Sequence, residues 1–241
     1  MTTQLPWHGT SHHPRPRTFA QSTKLQDVLY EIRGPVHDHA ARLEAEGHRI
    51  LKLNIGNPAP FGFEAPDVIM RDMIQALPYA QGYSDSKGIL SARRAVVTRY
   101  ELVEGFPRFD VDSVFLGNGV SELITMTLQA LLDNGDQVLI PAPDYPLWTA
   151  SASLAGGTPV HYLCDETNGW QPDLADLESK ITARTKAMVV INPNNPTGAV
   201  YSREVLQQMV DLARKHQQWY VAHGIYDKIL YDDTEHISLA T

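Results

Sequence analysis

A chain of 241 residues with 43% hydrophobic and 20% charged residues is long enough to bury one large core and has the composition of a globular protein. A formal net charge of -8 argues against a nucleic-acid-binding face, and no apolar run approaches the roughly 20 residues that cross a bilayer. The single cysteine, Cys164, excludes an internal disulfide, and residues 1–19 lack the hydrophobic stretch of a signal peptide, so a reducing cytoplasm is the expected setting.

Residues 1–22 read as an N-terminal arm, in which His8, His12 and His13 sit among prolines without metal-site spacing. Between Lys24 and Gly47 apolar residues recur at helical intervals, and Gly34-Pro35 divides them into two short helices or one broken one. Residues 50–56 alternate like a short strand and end in the turn formers Asn57-Pro58-Ala59-Pro60. Helices are expected over 65–77 and 89–100, with a polar loop over 82–88.

After Asp112 strands and helices alternate. Strands are expected at 114–117, 137–140, 159–163, 186–191 and 219–222; helices at 122–132, 145–155, 174–181 and 203–216. Such a rhythm implies a mainly parallel sheet covered on both faces, a three-layer α/β/α architecture.

Three loops leave this framework with chemistry on them. Asn192-Pro193-Asn194-Asn195-Pro196-Thr197-Gly198 stops a buried strand abruptly, since each proline removes a backbone donor, and so presents side-chain amides at the strand's carboxyl end. Ligands bind at that edge of an open α/β sheet. Gly117-Asn118-Gly119-Val120-Ser121-Glu122 carries the chain into a helix whose free N–H groups and positive dipole end suit a phosphate, with Ser121 as an added hydroxyl or, on the structural alternative, as the helix cap. Glu122 stands where a dinucleotide fingerprint needs a small residue, and no Walker lysine follows, which disfavours a nicotinamide-dependent dehydrogenase. Pro141-Ala142-Pro143-Asp144-Tyr145-Pro146 places an aromatic ring at a third strand end, where Tyr145 either covers a flat ligand or packs into the core. Phosphate cradle, aromatic ring and amide together suit a planar phosphorylated cofactor such as pyridoxal phosphate.

Leu53-Asn54-Ile55-Gly56-Asn57-Pro58, Gly82-Tyr83-Ser84, Gly119-Val120-Ser121-Glu122, Asp144-Tyr145-Pro146 and the 192–198 motif stand in the order and spacing of class I/II pyridoxal-phosphate aminotransferases of fold type I. The chain resembles the N-terminal part of that family, with wording similar to bacterial, particularly mycobacterial, alanine (or aspartate) aminotransferases. The resemblance implies residues 23–65 as a segment contributing to a small domain and 66–241 as the incomplete cofactor-binding large domain. It implies that Val120 and Ser121 bind the cofactor phosphate, Tyr145 stacks on the pyridine ring, and Asn195 and Tyr226 hold its phenolic oxygen. Gly56 and Asn195 would lie beside the substrate, and Tyr83 would reach the phosphate of a neighbouring subunit in a homodimer. The implied reaction moves an amino group from an amino acid, alanine, to a 2-oxo acid, 2-oxoglutarate.

The chain also departs from the family. His223 stands where the family carries the aspartate that keeps the pyridine nitrogen protonated, and a neutral imidazole is expected at best to accept a hydrogen bond there. None of the lysines lies in the Ser-x-Ser-Lys context of the Schiff-base lysine, so no catalytic residue is expected in this chain and turnover by it alone is not expected. The family's sheet interposes two strands formed after this point between the first expected strand and the rest, and without them unpaired edges and an exposed core are expected. A non-catalytic remnant or cofactor-binding module is the alternative reading.

Overall fold

Aliphatic runs with alternating faces build the sheet. The structure, a computed structural model, describes residues 20–28, 30, 34–53 and 56–241; residues 1–19 of the expected 1–22 arm lie outside them. The strands are β1 (Gln137–Ala142), β2 (Thr158–Asp165), the two-residue β3 (Gln171–Pro172), β4 (Thr185–Ile191) and β5 (Trp219–His223), ordered β3-β2-β1-β4-β5. All pairs are parallel except β2 with β3. The helices are α1 (Gly34–Ala45), α2 (Asp67–Ala76), α3 (Leu90–Glu101), α4 (Gly119–Leu131), α5 (Leu147–Leu154), α6 (Leu174–Ser179) and α7 (Arg203–His216).

Because successive strand residues point to opposite faces, β1 and β4 feed two cores. Val138, Ile140, Ala187, Val189 and Ile191 pack with Ile124 and Leu128 of α4 and with Trp148 and Ala152 of α5. Leu139, Met188 and Val190 pack on the other face with Leu177 of α6 and Leu206 and Met209 of α7. Each of the valine, leucine, isoleucine and methionine side chains contributes about 1.5–3 kcal/mol by leaving water. The layers are therefore helix, mainly parallel sheet, helix, as the alternation of elements implies.

Helix ends follow local chemistry. Ser202 caps α7 by accepting the Val205 N–H at 3.3 Å. Arg214, Lys215 and His216 fill its last turn, where the dipole favours cations. Gln217 then turns left-handed at φ 55°, and the Gln218 N–H closes on Ala213 O at 2.9 Å. Further back, the buried Arg93 ties the 85–88 loop to the turn before Val114: its guanidinium donates to Gly88 O at 3.0 Å and Val111 O at 3.2 Å and meets Asp112 at 3.3 Å.

Two expected strands do not form. Residues 114–117 form no strand: beyond local turn bonds, the Leu116 N–H bonds Lys87 O at 2.9 Å, and Phe115 is 52% exposed. Residues 50–53 are also unpaired, with Leu51 and Leu53 exposed, and 54 and 55 lie outside the described residues. Alternation supplies a face to bury, but a strand exists only with a partner, and neither segment has one among the described residues. β5 is accordingly a sheet edge, and an apolar hollow of about 450 Å³ opens beside it, lined by Phe115, Leu123, Met126, Trp219 and Val221.

β5 itself combines a satisfied backbone with ill-suited side chains. Its register with β4 is regular from Ala187↔Trp219 to Ile191↔His223. Yet of four buried side-chain polar atoms without a partner among the described residues, Gln218 Oε1, Tyr220 OH and His223 Nε2 fall in this short stretch. Burial also pushes the Tyr220 phenol well above its ordinary range. A strand whose backbone fits and whose side chains do not is one shaped for a more aliphatic sequence. Tyr220→Phe removes a buried hydroxyl that has no partner among the described residues and should stabilise the protein by about 1 kcal/mol, read as a higher urea midpoint at unchanged slope. A lower midpoint would show that the hydroxyl has a partner.

Candidate functional site

The sheet's winding reverses at β1. From β1 the chain crosses through α5 to β2 on one side, and the next parallel strand, β4, lies on the other side of β1. Loops leaving the carboxyl ends of β1 and β4 therefore diverge and open a crevice between them, the usual ligand position of doubly wound sheets. Three of the chemically suggestive segments arrive there: the 143–146 loop after β1, the 192–198 motif after β4, and Gly224 to Tyr226 after β5.

At one end of the crevice stands the start of α4. Gly119 is left-handed at φ 76° with nothing within 4 Å of where a Cβ would stand, so the backbone there is open to an approaching group. The Asn118 N–H is taken by the Glu122 carboxylate, which folds back over the helix start. Ser121 is therefore not the cap. Its hydroxyl is exposed and lies 3.5 Å from the Tyr145 hydroxyl, which joins the phosphate-cradle candidate to the aromatic candidate. Val120 is half-buried and packs on the core beneath, while its N–H belongs to the first helical turn, whose amides have no intrahelical acceptor.

Tyr145 is held by its own loop. Thr149 Oγ1 donates to Asp144 Oδ2 at 2.9 Å and lies 2.9 Å from His161 Nε2, and burial pushes the Asp144 carboxyl above its usual range despite the Thr149 bond. A second tyrosine, Tyr30, bonds the Tyr145 side chain, and that bond raises the Tyr30 phenol. Sequence reasoning passed over Tyr30, because the 24–47 segment offers only helical spacing and no motif that marks one of its rings for a site.

At the other end, the 192–198 loop sorts its three asparagines. Asn192 is buried and accepts the Tyr201 N–H at 3.0 Å; Asn194 is buried and accepts from Thr197 N–H and Oγ1 at 3.2 and 2.9 Å. Both hold the loop's shape. Asn192 also donates from Nδ2 to Ile237 O at 3.4 Å, whereas Asn195 meets another candidate site residue, donating from Nδ2 to the Tyr226 hydroxyl at 3.3 Å.

His223, 5% exposed, closes β5 and packs against Trp148 and Tyr145. Its Nδ1 accepts the Trp148 indole N–H at 3.0 Å, its ring meets the Tyr145 ring edge-on with centroids 6.2 Å apart, and burial lowers its pKa. This corrects the sequence expectation, because the accepting nitrogen is already engaged by Trp148 and the nitrogen left over is a donor. The contact spans 75 positions in sequence, so no local pattern announces it.

The structure thus brings together Val120, Ser121, Tyr145, His223, Asn195 and Tyr226. It does not bring Gly56 or Tyr83 to them: Gly56 is exposed with nothing within 4 Å of its would-be Cβ, and the Tyr83 side chain stands free in solvent.

Comparison with known proteins is in keeping with this arrangement. The family model described as aminotransferase class I and II matches residues 48–241. The alanine aminotransferase of Mycobacterium tuberculosis is 87% identical over 240 residues, which covers 100% of this chain and 56% of that protein. The glutamate-pyruvate aminotransferase of Escherichia coli is 59% identical over 220 residues, 91% of this chain and 54% of that one. Among solved structures, an aminotransferase from Escherichia coli superposes with TM-score 0.88 at 58% identity, covering 92% of this chain and 55% of its own. The alanine aminotransferase from Pyrococcus furiosus gives 0.86 at 38%, covering 91% and 56%. The chain spans about half the length of the curated relatives it matches.

The buried imidazole has a consequence for pH. His223 is neutral in the folded chain and its pKa lies below the ordinary value, so as pH falls under about 6.5 the unfolded chain takes up a proton that the folded one refuses. The stability from the neutral state is present above that value and lost as pH drops towards the folded pKa. The urea midpoint of the wild type should fall between about pH 7.5 and 5.5 more steeply than that of His223→Gln. Parallel profiles would contradict it; the raised Asp144 carboxyl acts in the opposite sense at lower pH and is common to both proteins.

Proposed function

The chain belongs to the class I and II aminotransferases, and from that premise we propose that it holds pyridoxal phosphate, the cofactor of that family, at the carboxyl edge of its sheet. The observation that carries the reading is the pairing of Ser121 with Tyr145 at one end of the crevice and of Asn195 with Tyr226 at the other. A donor set for a phosphate and a donor set for a phenolic oxygen, separated by an aromatic ring, match the two polar substituents of that cofactor.

In this reading the first-turn amides of α4 and the Ser121 hydroxyl bind the phosphate, where helix dipole and free N–H groups both favour an anion. Tyr145, fixed through Asp144 and Thr149, covers one face of the ring and excludes water from it. Asn195 and Tyr226 hold the phenolic oxygen. Gly56 leaves room for the substrate carboxylate, and Tyr83 reaches the phosphate of a second copy in a homodimer, for which its free side chain is available. The cofactor supplies an aldehyde that takes up an amino group and a ring that draws electrons from the carbon bearing it. The reaction proposed for the whole protein is transfer of the amino group of alanine to 2-oxoglutarate, supported by the names of the relatives. The proposed organisation is an arm over 1–22, a small-domain segment over 23–65 and the cofactor domain over 66–241. A cytoplasmic setting is supported by the single cysteine and by the described helices, none of which is long and apolar enough to cross a membrane.

A second reading, a cofactor-binding module without turnover, is favoured by His223 and by the lack of a lysine in the Ser-x-Ser-Lys context. Both readings require phosphate capture at Ser121. Titration of the chain with pyridoxal phosphate, followed by ³¹P resonance, should show saturable binding that Ser121→Ala weakens about tenfold or more, the worth of a hydrogen bond to a charged group. Equal affinity in the variant would remove Ser121 from the site. Pyruvate formed from alanine by the 241-residue chain would decide against the module.

A further inference from the structure

The placement of one hydrogen atom on His223 follows from its neighbour. An indole N–H can only donate, so the His223 Nδ1 that lies 3.0 Å from Trp148 Nε1 must offer a lone pair. A neutral imidazole then carries its hydrogen on Nε2, and protonation would set a second N–H against the indole. The backbone fixes the residue as well, since the His223 carbonyl accepts the Asn192 N–H at 3.0 Å. Nε2 is buried and has no partner among the described residues. A buried donor without an acceptor is costly enough in a folded protein to ask what completes it.

Resting on the cofactor reading above, the chemistry of pyridoxal phosphate supplies the acceptor. Its phosphate arm and phenolic oxygen sit on the ring carbons flanking the aldehyde-bearing carbon, so the ring nitrogen lies on the opposite side. With the phosphate at Ser121 and the phenolic oxygen at Asn195 and Tyr226, the nitrogen would lie away from the aldehyde, and His223, buried with its ring against that of Tyr145, carries the unsatisfied donor at this edge of the sheet. We propose that His223 donates Nε2–H to the ring nitrogen and holds the cofactor with that nitrogen unprotonated, Trp148 acting as the positioning residue that fixes the tautomer.

A carboxylate at this position accepts a proton-bearing nitrogen; the imidazole fixed by Trp148 offers a proton of its own and leaves the nitrogen lone pair as acceptor. The sign of the interaction is reversed while the cofactor remains bound. An unprotonated ring draws electrons less strongly, so this single hydrogen bond separates cofactor binding from amino-group transfer.

Two measurements on the 241-residue chain test the proposal. Long-range ¹H–¹⁵N spectra of histidine-labelled protein, with His223 assigned by its loss in His223→Gln, should show a bare Nδ1 and a protonated Nε2 from about pH 5 to 8, and Trp148→Phe should release a mixture of tautomers. An Nδ1–H form in the wild type would overturn the proposal without any ligand. Ring-¹⁵N pyridoxal phosphate should then bind, by its ³¹P signal, with the ring nitrogen at the unprotonated position, and His223→Asp should move it to the protonated one. Bound cofactor with a protonated nitrogen in the wild type overturns this inference alone. Absence of a ³¹P change in the wild type overturns the cofactor reading and this inference with it.

Discussion

Where parallel strands end, their backbone carbonyls and the loops that follow must find partners outside the sheet, and in this chain that requirement is concentrated at the boundary between β1 and β4. The crossover through α5 goes one way and the strand that joins β1 on its other side arrives later, so two loops are driven apart at their roots. Everything with chemical character in the crevice depends on that divergence. Tyr145 is delivered by β1, Asn195 by β4, and His223 with Tyr226 by β5, whose register with β4 ends on Ile191↔His223. Ser121 reaches the same edge from α4, which is packed against the sheet by Ile124 and Leu128.

The electrostatics of the edge are set by burial and by donor geometry more than by formal charge. Among the described residues no ion pair joins the site residues; the ion pairs lie elsewhere, most of them on the surface, where they contribute little. What matters is a neutral imidazole that cannot easily be charged, an indole that can only donate, and an exposed serine at the positive end of a helix. The same β5 that carries the imidazole also carries the unpartnered Tyr220 hydroxyl and lies next to the unpartnered Gln218 carbonyl, so the unusual chemistry of His223 is part of a wider mismatch between that strand's side chains and its surroundings.

Much of this framework is legible in the sequence. α7 runs from Arg203 to His216 as its apolar spacing implies, because Ser202 and Gln217 punctuate it locally; β4 ends where Asn192-Pro193 removes a donor. The strands expected at 50–56 and 114–117 fail because pairing partners are not encoded in the strand itself, and the two-residue β3 is too short to show a period. Within the site, the motif residues were readable one by one, but not their division of labour: three asparagines look alike in sequence, and only the fold shows that Asn192 and Asn194 shape the loop while Asn195 faces Tyr226. Trp148 was invisible as a site residue because its partner lies 75 positions away.

Crystals of the chain grown with pyridoxal phosphate test the central claim most directly, that the divergent carboxyl edge is a cofactor site read from both ends. Density should place the phosphate at the start of α4 beside Ser121, the phenolic oxygen at Asn195 and Tyr226, and the ring nitrogen within hydrogen-bond distance of His223 Nε2. A phosphate bound elsewhere, or a ring whose nitrogen turns away from His223, would contradict the account.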